Sequence, residues 1–144
     1  MKKYTKYKFL PELNLTLCNF QGDINQYDMT DYMKYLHRDD DYNIFSDLIF
    51  DFRDVNFSFT GKGIDEVAQY FILIAPTSKI KTYYFVYNNN SQRQVCESFV
   101  LKSSKSNHQF KYIANIEQLE LNSNFDESQI ELIEETLKSI KKQD

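Results

Sequence analysis

The run "DLIFD" at Asp47–Asp51 has apolar residues side by side where a half-exposed strand would alternate. A strand of this kind has to be covered on both faces, as the central strands of parallel sheets are. A second strand of the same central type is "KIKTYYFVYN", from Lys79 to Asn88. Segments of helical spacing surround these two. Met29, Tyr32, Met33 and Leu36 come before the first. Ile64, Val67, Ala68, Phe71 and Ala75 separate them, with Pro76 as the stop, and Val95, Phe99 and Val100 follow the second. Strands that alternate with helices imply right-handed crossovers and a mainly parallel sheet, so the fold class is α/β.

The rest of the chain extends this pattern. Tyr4–Leu10 and Leu13–Phe20 read as a hairpin around Pro11-Glu12, an antiparallel edge whose second strand alternates and is expected to be half-buried. Asn25 caps the first helix, with Ile24 stapled to Met29, and "SQRQ" at 91–94 reads as a capping box for the third. "QFKYIA" is a short last strand, and Asn115 with Gln118 caps a short fourth helix through Leu119. The expected order is β-β-α-β-α-β-α-β-α over residues 1–121, with a sheet of four to five strands. Residues 122–144 form a separate amphipathic helix, capped by Asp126 with Gln129 and stapled from Phe125 to Ile130. Its stripe of Ile130, Ile133, Leu137 and Ile140 must dock on its own domain, on a second copy or on a partner protein.

Charge and composition remove several function classes. The net charge of −4 and a pI near 5.2 argue against a nucleic-acid binder, which needs a basic face. The lysines of "MKKYTKYKFL" are not followed by a signal peptide's apolar stretch, and the longest apolar run, "YFILIA" at Tyr70–Ala75, cannot span a bilayer. A cytoplasmic protein is expected, with Cys18 and Cys96 as buried structural thiols. The 12 Phe and 11 Tyr, with no Trp, suit a covered sheet and also allow an exposed patch or an apolar cavity.

Catalytic groupings are thin. "TGKG" at Thr60–Gly63 lacks the first glycine of a phosphate loop and puts Gly63 where that loop needs a hydroxyl residue. His37 and His108 lie in different segments without ligand spacing, Asp39-Asp40-Asp41 lacks the pattern of a calcium loop, and no nucleophile elbow occurs. No catalytic residue, metal or cofactor is therefore expected. Asp51 ends a strand where α/β folds place functional groups, or else it pairs with Arg53.

The segments "GDINQYD", "LIFDFRDVNF", "KIKTYYFVYN" and "FKYIANIEQLE", in this order over about residues 4–121, resemble the STAS-like fold, the anti-sigma-factor-antagonist superfamily. The chain looks like its small stand-alone bacterial members. In signalling members the turn after the third strand carries an Asp-Ser-Ser-Gly-like motif, and phosphorylation of one serine controls docking to a kinase. The resemblance places that loop at Ser58, Thr60 and Gly61, supported by Asp51, Arg53 and Asp54. Phe59 stands where the acidic residue belongs, and the second adjacent hydroxyl is missing. The plainer reading makes Thr60 the N-cap of the second helix and Ser58 a loop hydroxyl. The resemblance implies a non-catalytic module that binds a protein partner or forms a homodimer. The alternative is a carrier of a small apolar ligand or lipid, and an enzyme would need Asp51, Arg53, Asp54 and Thr60 to converge.

Overall fold

A computed structural model describes residues 6–76 and 78–141. Tyr4 and Thr5 of the expected first strand and residues 142–144 of the expected last helix lie outside them. The chain forms β1 (Tyr7–Leu10), β2 (Leu15–Ile24), α1 (Gln26–Arg38), β3 (Asp47–Phe57), α2 (Gly63–Ile74), β4 (Thr82–Val86), α3 (Asn90–Lys102), β5 (Gln109–Ile113), α4 (Leu119–Asn122) and α5 (Glu127–Lys141). This is an α/β fold with one five-stranded, mostly parallel sheet. Only the β1–β2 pair is antiparallel, joined by a 3-10 turn at Pro11–Leu13 that closes on Asn14 with φ of 51°.

The strands lie in sequence order, β1-β2-β3-β4-β5. When every parallel step moves the same way, right-handed crossovers put all their helices on one face. Met29, Tyr32, Met33 and Leu36 of α1, Val67 and Phe71 of α2, and Cys96 and Phe99 of α3 accordingly share a core with Cys18, Phe20, Phe50, Phe52, Tyr83 and Phe85 of the strands. The opposite face is closed by α5. Its Ile130, Ile133, Leu137 and Ile140 join Leu15, Leu17, Ile49, Tyr84, Val86 and Ile113 in a second core. The expected staple residue Phe125 packs against the same core, and the Asp126–Gln129 box forms in both directions, at 2.9 Å each.

Three strands depart from their expected form, β4 by covering only Thr82–Val86 of the expected Lys79–Asn88. β2 is buried at every position from Leu15 to Phe20, although its alternation predicts one wet face. The polar members Thr16 and Asn19 end up inside because α1 covers one side and α5 the other. β3 continues to Phe57, six residues past the expected end, because Asp54–Phe57 pair with Gln21–Ile24 of a β2 that itself runs four residues past its expected end. The cap of α3 is also displaced: Asn89 accepts from Gln92 N at 2.9 Å, and the helix begins at Asn90. With Asn89 serving the N–H of Gln92, the helix starts two residues earlier than a Ser91 cap on Gln94 would have set it.

Candidate functional site

The lengthened β3 carries three of the residues singled out in the sequence, Asp51, Arg53 and Asp54. Between Asn19↔Asp51 and Gln21↔Asp54 the β2–β3 register slips by one residue, a bulge in β3. Asp51 and Arg53 point to the α5 face and are held there as a clamp. Arg53 donates from Nε and Nη2 to Asp51 Oδ1 and Oδ2 at 2.9 and 3.0 Å, and from Nη1 and Nη2 to Glu134 of α5 at 3.1 and 2.9 Å. Lys141, in the last turn of α5, sits 3.5 Å from Asp51 and 3.0 Å from Asp54. Burial works against the charge on Arg53, but the hydrogen bonds and charges of Asp51 and Glu134 outweigh it and raise its pKa. Asp51 is fully buried and both its oxygens are occupied. Beside it in register, Asn19 is also buried. Its Oδ1 accepts from Gln21, and its Nδ2 has no partner among the described residues.

Ser58, Thr60 and Gly61 do not join this cluster. They lie past the end of β3, in an exposed loop leading to α2. Thr60 is not the N-cap expected for this helix. Lys62 holds that position with no side-chain cap, and Thr60 is engaged elsewhere. The amide of Gln26, buried at the start of α1, donates to Thr60 Oγ1 and O at 3.0 and 3.3 Å and accepts from Thr60 N at 3.3 Å. Gly61 has φ of +54°, a left-handed conformation suited to glycine, and the Thr60 carbonyl then accepts from Gly63 N at 2.9 Å to start the helix. Gly63 is close-packed. A β-carbon there would stand 2.8 Å from Gln26 Cδ and Oε1. Gly63→Ala is expected to push Gln26 off Thr60 and destabilise the fold by about 1 kcal/mol, with faster hydrogen exchange at the Thr60 amide. Unchanged exchange in that variant would show that Gln26 does not hold the loop.

A second glutamine does similar work one strand over. Gln92, 3% exposed, donates from Nε2 to the carbonyls of Arg53 and Val55 at 3.1 and 2.9 Å and accepts from Asn88 N at 2.7 Å. Neither Gln26 nor Gln92 is visible as a tether in the sequence, since each amide finds its partners across the fold.

Sequence reasoning also passed over Lys81, which is 2% exposed. Its Nζ donates to Ile44 O at 2.9 Å and Tyr42 Oη at 3.2 Å, and lies 5.1 and 5.7 Å from the Tyr83 and Tyr42 ring centres. Burial lowers its pKa from the ordinary 10.5 to about 8, with Asp47 pulling back the other way. Between those values the unfolded chain binds more protons than the fold, so this lysine makes stability rise with pH across the window. The stability difference between wild type and Lys81→Met is expected to rise by about 2–3 kcal/mol from pH 8 to 10.5 and to stay flat below. The subtraction matters because Cys18 and Cys96, both buried, have thiols pushed by burial up to about 12 and weaken both proteins at alkaline pH. Denaturant titrations across this range read the slope, and a flat difference would mean Lys81 is solvated in the fold.

Chemically, the Asp51–Arg53–Glu134–Lys141 cluster is a saturated ion network that locks α5 to the sheet. The exposed end of the sheet offers hydroxyls and amides from Ser58, Thr60 and the loop before α3. A hollow of about 490 Å³ opens at the other, amino end of the strands, between Asp47, Thr82, Gln109 and Lys111, away from all these residues. Among the described residues no group of acidic, histidine or cysteine side chains is placed to hold a metal, and no helix is long and apolar enough to cross a membrane. No family model matches the chain, and neither the curated proteins nor the solved structures give a match.

Proposed function

We propose that this chain is a STAS-like, non-catalytic module that works in the cytoplasm by binding a protein partner, or a second copy, through the loop Ser58–Lys62. The observation that carries this reading is the state of Thr60. Thr60 is exposed at the carboxyl end of the sheet, yet its hydroxyl and the loop around it are held in shape by buried Gln26. A phosphate on Thr60 would bring nearly two negative charges to the first turn of α2, beside Lys62 and close to Asp65 and Glu66. Such a change alters what can dock there without any catalytic group in the module itself. The order of elements, with an N-terminal hairpin followed by three crossovers, supports the STAS-like likeness.

The aromatic residues speak against the alternative of an apolar-ligand carrier. The Phe50 ring centre lies 5.5 to 6.2 Å from those of Phe85, Phe71, Phe20, Phe52 and Tyr83, so these rings fill the core with one another.

Isolation of the chain from its native cells, with intact mass measurement and identification of co-purifying protein, tests the proposal. The expected result is a phosphate's mass on Thr60 or Ser58, or a stoichiometric partner that Thr60→Glu releases. An unmodified, solitary monomer would overturn it.

A further inference from the structure

β4 stops at Val86, but its neighbour runs on. β3 pairs with β4 only as far as Asp51↔Val86, while its pairing with β2 continues to Ile24↔Phe57. From Arg53 to Phe57, this edge of β3 therefore faces the start of α3 instead of a strand. In a parallel ladder the N–H and C=O of one residue point to the same side, and successive residues alternate. Ser58 N donates to Ile24 O at 2.9 Å, so the even-numbered residues of this stretch turn toward β2. The odd-numbered ones turn away, as the Gln92 bonds to the Arg53 and Val55 carbonyls show. The same alternation directs the N–H of Val55 and both backbone groups of Phe57 into an open groove of about 450 Å³. Val55, Phe57, Asn89, Asn90, Ser91 and Val95 line it, and no strand of the described residues runs along it.

We propose that this groove takes one extended peptide segment of a partner protein, added to the sheet as a short strand on β3 beyond the end of β4. The inference rests on the protein-binding reading above and names the form the partner presents. Backbone donors and acceptors at strand spacing are matched by another extended backbone, with side chains at alternate positions giving selectivity. Gln92 already displays this chemistry, because its side-chain amide is a peptide-group analogue seated on the first carbonyls of the same edge. The wall residues are all uncharged, so the seated residues of the peptide are uncharged as well. The groove's volume lies within the usual range for ligand sites, and its open end lies next to Ser58, which places a bound segment beside the Thr60 loop.

The test uses the full chain, a displayed library of random peptides, and a synthetic copy of whatever is enriched. The peptide is expected to shift the amide resonances of Val55 and Phe57 and to slow their hydrogen exchange. Ser91→Trp, at an exposed position on the groove wall, is expected to weaken binding by roughly tenfold or more with an unchanged melting temperature. Failure to enrich any peptide, peptides that shift the β5 edge instead, or binding indifferent to Ser91→Trp would each overturn the inference. A co-purifying partner that still binds Ser91→Trp would leave the module reading standing and remove only the groove. An unmodified, solitary chain in its native cells, together with failure to enrich any peptide, would remove both.

Discussion

A chain ending at Leu121 is expected to lose cooperative folding and to expose apolar surface, not to yield a smaller stable domain. The sheet's strand order forces α1, α2 and α3 onto one face, and only α5 and the short segment before it cover the other. Without α5, Leu15, Leu17, Ile49, Tyr84, Val86 and Ile113 have little to pack against. Burying Ile130, Ile133, Leu137 and Ile140 contributes about 1.5–3 kcal/mol each, which together matches the whole net stability of a typical domain, about 5–15 kcal/mol. The removed segment also takes Glu134 and Lys141 from the buried carboxylate network. Calorimetry and near-ultraviolet circular dichroism of the shortened chain read the result. A sharp melting transition with intact aromatic signals would instead make residues 1–121 a self-sufficient unit.

Arg53→Met is expected to destabilise the full chain by about 3–5 kcal/mol, because it leaves the fully buried Asp51 carboxylate with only the backbone N–H of residue 53 at 3.1 Å and Lys141 at 3.5 Å. Asp51→Asn should cost less, since Arg53 keeps both bonds to Glu134, whose side chain is 21% exposed. The double variant Asp51→Leu/Arg53→Met should recover much of the single-variant loss, since an apolar pair of similar volume replaces a buried charge pair without an orphan. Denaturant unfolding of the three proteins measures this cycle. A loss below about 1 kcal/mol for Arg53→Met would mean the network behaves like an exposed ion pair.

What the sequence could reveal follows from how far apart the interacting groups lie along it. The Asp126–Gln129 box and the Asn25 cap are local and were legible residue by residue. So was the covered nature of "DLIFD", because missing alternation is a direct sign of two packed faces. "RDVNF" was not legible as strand. Its charged and amide residues resemble a turn, and what makes them strand is a helix 81 residues further on, which supplies Glu134 to Arg53. The alternation of β2 misled for the same reason, since its second face is wet only if α5 is left out. Of the candidate site, the loop was located and its support was not. Asp51, Arg53 and Asp54 serve α5, while Gln26, which nothing local in the sequence singles out, holds Thr60.

The strand order also bears on how such a chain is made. Synthesis runs from the amino end, and domains fold as their segments emerge. The hairpin, the three crossover helices and all five strands leave the ribosome before the stripe of α5 does. Through that interval the growing chain carries a sheet with one sticky side, and among the described residues only the short segment with Ile116 and Leu119 is there to shield part of it. The apolar stripe of α5, through Ile140, is therefore the part of this sheet's cover that emerges after all five strands. Quality-control proteases and chaperones would meet a chain without α5 as an open apolar surface, and one with α5 docked as a covered sheet.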